Sequence, residues 1–374
     1  MNAVSPFGTA VMTQAVVAPS RRRARDILEG RVLTIINWET ADSMAGHLDP
    51  TYEGLVVTGA ERHKKVRKLR EMFPELVILA ESNSHKDHTA TEDAPWLLPS
   101  DDDALIPAPN LGEILNAQRT SGASVVVLPA GFVEAGDHEA LRGLVFAANE
   151  LGGDDIALPL YLAAGWLRKK HKQFLIAALN ESVHPVLLAF GSSTNPLDGK
   201  GRQELYREIA SATHAFGWRT DLAGLAAFAS GGMGTAIGTA PSTRRFTPPN
   251  ASGHARRPDD ATPYVLIPGH MHWMKTRAMR EEIYVGAPSP TCGCLECDGA
   301  PIDRFTENDH AAAARHSHAV IAWYANTLAH TPVKERPSRW RALAQDAVVA
   351  HEMTGATIGR PWNVPTDVAA WAAS

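Results

Sequence analysis

Short apolar, β-branched runs alternate with amphipathic stretches between residues 31 and 240. RVLTIIN (31–37), EGLVVTG (53–59), LVILAES (76–82), SVVVLPAG (124–131), DIALPLYL (155–162), HPVLLAFG (184–191), GWRTD (217–221) and GTAIGTA (234–240) each read as a strand. Most are followed by a helical pattern: 61–73, 111–121, 137–151, 164–180, 201–214 and 222–231. Continuous apolar strands are those buried on both faces, as in a parallel sheet wrapped by helices. Eight such units predict an α/β fold of the (β/α)8 TIM-barrel class; an open doubly wound sheet is the alternative. Residues 1–30 read as a flexible N-terminal leader and 31–263 as the barrel, with 241–263 a Pro-, Arg- and Ser-rich loop. Residues 264–374 read as a zinc-binding, helical C-terminal subdomain with helices over 307–330, 338–354 and 365–373.

At 374 residues and 44% hydrophobic content, the chain can build a large core. No apolar run approaches the roughly 18 residues of a membrane span. The N-terminal charge order is the reverse of a signal peptide, so a cytoplasmic location is expected. The formal charge of -5 gives no global pull toward nucleic acid, although basic stretches occur at 21–25, 62–70, 168–172 and 244–245.

All three cysteines fall in Cys292-Gly293-Cys294-Leu295-Glu296-Cys297. That spacing cannot make a disulfide framework and reads as metal ligation, with thiolates reaching one ion at about 2.3 Å and Gly293 easing the turn. Tetrahedral Zn2+ needs a fourth ligand, and His310, His316 and His318 follow. His316 and His318 point about 200° apart on a helix, so only one can face the ion. His318 shares spacing with the Ile321–Tyr324 stripe and is the predicted ligand, with His310 as fallback. Such a closed site is structural, one zinc per chain.

The cysteine cluster, followed by His318-Ala-Val-Ile-Ala-Trp-Tyr, resembles the zinc segment of the tRNA-guanine transglycosylase superfamily. Its members are zinc-bearing barrels that exchange a guanine in tRNA, or in one branch DNA, for a 7-deazaguanine base. The resemblance implies a pentosyltransferase activity, tRNA or DNA and a guanine or 7-deazaguanine base as partners, and room for a homodimer or a heteromeric partner chain. Where the family carries Asp-Ser-Gly-Gly-Phe, this chain has Glu81-Ser82-Asn83-Ser84, so Glu81 stands in as the general acid/base. Where the family carries Asp-x-x-x-Pro-Thr-Arg, this chain has Gly238-Thr239-Ala240-Pro241-Ser242-Thr243-Arg244-Arg245, without the carboxylate that attacks C1′. Asp221, at a strand's C-terminal end, is the substitute nucleophile; its other reading is a helix N-cap. Arg219 alternates with it and faces the same mouth. Gly191, Ser192 and Ser193 fall where the family holds the base, and Arg244 and Arg245 where barrels bind phosphate. His85, Asp87 and His88 have no known ligand spacing and read as a solvated loop. Asp154 and Asp155 read as a turn at the barrel's bottom.

Two further readings stand beside base exchange. One is a non-catalytic zinc-containing relative that binds nucleic acid or serves as a partner subunit. The other is an unrelated barrel hydrolase or lyase with a stapling zinc.

Overall fold

The strands alternate their side chains between two cores, and that alternation places the functional residues. In a computed structural model that describes residues 23–99, 108–199, 201–249 and 260–374, the main sheet holds β1 (Val32–Asn37), β2 (Glu53–Thr58), β3 (Val77–Glu81), β4 (Val126–Val127), β5 (Phe132–Val133), β6 (Ile156–Ala163), β7 (Val186–Gly191), β8 (Phe216–Trp218) and β9 (Gly234–Gly238). Each pairs in parallel in the order β3-β2-β1-β9-β8-β7-β6-β4, with β5 also on β6. A parallel bridge between Leu79 and Val125 brings the two ends of the sheet together, giving a nearly closed eight-stave barrel. β4 and β5 are two pieces of one expected strand. Pro129, which has no N–H to give to a ladder, sits in the break.

Along β6, Ala157 and Tyr161 point into the barrel, and Leu158, Leu160 and Leu162 point out to the helices. The same period of two sends Leu33 and Ile35 of β1 inward and leaves Thr34 facing outward. The helices are α1 (Ala24–Leu28), α2 (Ala41–Ala45), α3 (Arg62–Met72), α4 (Leu111–Thr120), α5 (His138–Asn149), α6 (Lys172–Asn180), α7 (Arg202–Ala212), α8 (Ala223–Ala229) and the single turn α9 (Pro241–Arg244). Residues 164–171, expected to begin the helix of α6, form two 3-10 turns instead. Of the expected leader, residues 23–30 fall among the described residues and include α1. Ala24 and Leu28 of α1 are buried among the inward-facing strand residues, and the Ala24 amide donates to Asp154 O. At the same bottom end, Asp155 takes a two-pronged bond from Arg119.

After the barrel come the antiparallel hairpin β10 (Tyr264–Ile267) and β11 (His272–Lys275), the short α10 (Thr276–Ala278) and the cysteine-bearing turn. Three helices follow: α11 (His310–Ala329), α12 (Arg336–Thr357) and α13 (Thr366–Ala372). Val320, Tyr324, Trp340, Leu343 and Trp371 share one apolar cluster with the outer faces of the barrel strands and α8. The expected loop over 241–263 begins with α9, and its residues 250–259 lie outside the described residues. No helix among the described residues is long and apolar enough to cross a membrane.

Candidate functional site

Two polar centres stand out: the cysteine turn beside α11, and the barrel mouth at the C-terminal ends of the strands.

The cysteine turn closes on itself. Cys292 N donates to Ala300 O, Gly299 N to Cys292 O, and Cys297 N and Asp298 N to Cys294 O. This folds the three thiols toward α11. Cys292, Cys294, Cys297 and His316 place their ligand atoms within 4.8 Å of one another, the one such group among the described residues. His316 Nδ1 lies 3.3 Å from Cys297 Sγ and 3.7 Å from Cys294 Sγ. Its Nε2 sits 3.0 Å from Leu266 O. A carbonyl can only accept, so Nε2 carries the proton and Nδ1 turns its lone pair to the thiols, the tautomer that a metal ligand requires. Burial holds the His316 imidazole neutral, down to about 4. Burial, with Cys294 alongside, pushes the Cys297 thiol up to about 12. A divalent cation reverses that preference by stabilising thiolate. Donor set and tautomer together make a metal-binding arrangement compatible with one zinc ion.

The fourth member corrects the choice of His318, and His310 is not part of the group either. His318 is on the opposite side of α11, where Nδ1 lies 3.0 Å from Thr34 Oγ1 and Nε2 lies 3.5 Å from Glu53 Oε1. The apolar stripe used to choose it packs on the barrel, so a histidine in phase with that stripe faces β1 and β2.

At the mouth, Glu81 ends β3 and is 1% exposed. Its Oε1 accepts from Tyr161 Oη (2.7 Å), Arg219 Nε (2.9 Å) and Trp218 Nε1 (3.2 Å), and its Oε2 from Arg219 Nη2 (2.6 Å). Burial alone would raise this carboxyl, but the Arg219 guanidinium outweighs it and holds Glu81 down to about 2. Arg219 also donates to Asn83 Oδ1 and to Ser242 O. Asp221 is engaged in the same manner. Oδ1 accepts from Trp273 Nε1 (2.8 Å) and Leu222 N (2.8 Å), and Oδ2 from Arg244 Nη1 (3.1 Å) and Arg245 Nη2 (3.2 Å). Burial opposes its charge, and the two arginines overcome that and lower it. The bond to Leu222 N is one residue on, not two or three, so Asp221 is not the N-cap its position suggested. Asn83, Arg219 and Asp221 all have left-handed backbone, with φ of 58°, 54° and 55°. For residues with a Cβ that conformation costs energy, and it concentrates at working sites.

The strand expected over 217–221 ends at Trp218, so Arg219 and Asp221 lie beyond it in left-handed backbone, Arg219 bonded to Glu81 and Asp221 to Arg244, Arg245 and Trp273. Arg244 is buried, stacked 4.0 Å over Trp273, and committed to Asp221 rather than turned out to a phosphate. Ser192 Oγ accepts from Thr194 N, and Ser193 is exposed. Gly191 lies at the mouth against Phe246, which forms a bridge with it. His85, Asp87 and His88 do not converge. His85 is fully buried between Tyr161 (ring centroids 4.1 Å) and Phe246 (4.7 Å), and His88 Nε2 bonds Ala94 O. Burial, then Arg219, keeps the His85 imidazole neutral, down to about 3.

Sequence reasoning missed Tyr161, Trp218, Phe246 and Trp273; it named His85 and His316, but placed the first in a solvated loop and passed over the second for His318. Tyr161 alone left a signal: a polar-tipped aromatic at an inward position of a buried strand needs a partner. Compared with known proteins, the chain matches no family model and no curated protein.

Proposed function

We propose that the chain is a zinc-stapled barrel that binds a polynucleotide at the C-terminal face of its strands. It is built like the transglycosylases it resembles and acts as a nucleic-acid-binding or partner subunit, without their double displacement. One observation carries this reading: each mouth carboxylate already accepts four hydrogen bonds, the whole capacity of an ionised carboxyl. A nucleophile for C1′ needs a free lone pair, and a general acid/base needs a pKa near the working pH. Asp221 lacks the first, and Glu81, at about 2, lacks the second. What the mouth offers is positive charge. Arg62 and Lys86 lie close enough to feel Glu81, and Arg245 is partly exposed beside Asp221. That supports phosphate contacts, and these make binding fall with salt as counterions are released.

The reading predicts salt-dependent binding of tRNA or duplex DNA and no entry of radiolabelled guanine into either polymer. Label that enters one polymer, and is lost in Asp221→Ala, would sink it in favour of base exchange. That second reading, a pentosyltransferase with Asp221 as nucleophile and Glu81 handling protons, draws support from the three left-handed residues at the mouth. Under it, the Asp221 bonds to Arg244 and Arg245 must open when substrate enters.

A further inference from the structure

Helices α7 and α13 leave a cleft of about 490 Å³ between them, a size that suits a small ligand. Its walls follow from helical spacing. Gln203, Glu204 and Arg207 of α7 share one face, and Thr366, Asp367 and Ala370 of α13 share another, each set recurring one and four residues on. The opposite face of α13 carries Val368 and Trp371, which pack into the core beside Trp340. Ala370 is too small to fill the space that its helix leaves.

The two ends of the cleft differ. At the start of α13, Asp198 Oδ1 accepts from Thr366 Oγ1 (3.0 Å), with Asp367 alongside. At its end, about 10 Å away by helical rise, Arg207 Nη1 donates to Ser374 Oγ (2.9 Å). Between them, Gln203 is 6% exposed. Its Oε1 accepts from Trp371 Nε1 (3.2 Å), and its amide N–H groups find no acceptor among the described residues. Arg207 Nε is buried without an acceptor as well. Buried donors left unpaired are costly, and here they border open space. Among the described lining residues, three carboxyls (Asp198, Glu204 and Asp367) stand against one guanidinium. That balance favours a positive group over an anion.

We propose that this cleft binds a small compound with an ammonium group at one end and a carboxylate at the other, the layout of a basic amino acid. The ammonium goes to Asp198 and Asp367, and the carboxylate takes the idle N–H groups of Gln203 and Arg207. The site is separate from the barrel mouth but adjoins it, since Asp367 feels the charges of Asp221 and Arg245. Burial, then Asp221, raises the Asp367 carboxyl to about 6. An ammonium pairs with the ionised form only, so binding should strengthen as pH rises from 5 to 7. Asp198, Glu204 and Arg207 are the other charged groups that line the cleft.

The test is saturation-transfer NMR on the zinc-loaded full chain, with L-lysine and L-ornithine as probes and Nε-acetyl-L-lysine and succinate as controls. Either basic amino acid is expected to bind wild type, and both controls to bind about tenfold more weakly or worse. Asp367→Asn should weaken lysine binding by about tenfold and flatten its pH dependence. Ala370→Phe, which fills the cleft from an exposed position and changes no charge, should abolish it, and serves where Asp367→Asn fails to fold. No transfer from either probe in wild type overturns the proposal. So does binding that survives both variants, or succinate binding as tightly as lysine. Polynucleotide binding by the same samples is read separately, and its absence would strike the proposed function while leaving the cleft untouched.

Discussion

The cysteine turn and the barrel mouth both gather charged and polar groups into a small buried volume, and they balance them in opposite ways. At the mouth Glu81 and Asp221 each accept four hydrogen bonds from the chain itself, chiefly from Arg219, Arg244 and Arg245. At the turn, the ligand atoms of Cys292, Cys294, Cys297 and His316 face one another, and only a cation satisfies all four. The mouth therefore folds complete, whereas the turn depends on something from outside. Perturbing the two should give different signatures: metal-linked at the turn, pH-linked at the mouth.

The largest effect is expected from metal removal. Structural zinc contributes on the order of 10 kcal/mol to small sites. A chelator, Cys297→Ser or His316→Ala should each take bound zinc from one per chain toward none and lower the melting temperature sharply. His318→Ala should keep its zinc, and metal analysis of the two histidine variants checks the assignment directly. A His318 variant without zinc beside a His316 variant with it would reverse the comparison.

Next comes Arg219→Met, which leaves the Glu81 carboxylate buried and unpaired. Breaking such a pair costs about 3–5 kcal/mol, while removing both charges is far milder. Denaturant midpoints should fall in the single variant and recover in part in Arg219→Met with Glu81→Met. The pH dependence follows from the same pair. Glu81 is held down to about 2 in the folded chain, below its ordinary 4.5. The stability it contributes is present above about 4.5 and is lost as pH falls toward 2. Wild type should therefore lose stability over that window more steeply than Glu81→Gln, as urea midpoints between pH 5 and pH 3 would register. The smallest effect is expected from Arg245→Ala: Arg245 is 35% exposed and Arg244 still pairs with Asp221 in its absence, so the loss is about 1 kcal/mol or less. A large loss there would mean that Arg245 does more than balance Asp221.

Most of the eight staves were legible because they are apolar on both faces, and the three thiols because no other role suits that spacing; GWRTD was placed late, since the strand itself is Phe216–Trp218. The break between β4 and β5 was visible as Pro129, although its consequence was not. The fourth ligand was half legible. Helix geometry allowed only one of His316 and His318 to face the cysteines, but nothing local says which side of α11 looks at the barrel. The mouth was least legible. Glu81, Arg219 and Asp221 stood out as polar residues at strand ends, yet their partners come from elsewhere in the chain. Tyr161 is 80 residues from Glu81, and Trp273 is 52 from Asp221. Only closure of the barrel and docking of the hairpin bring them together.

Leu266 of β10 links the two centres. Its carbonyl is held by His316 and its amide by Ser317 Oγ, while across the hairpin it pairs with Trp273, whose indole holds Asp221 and underlies Arg244. His316 and Asp221 are thus three contacts apart. Slack introduced at the turn by loss of its metal is therefore expected to reach the mouth through the hairpin as a loosened grip on Asp221.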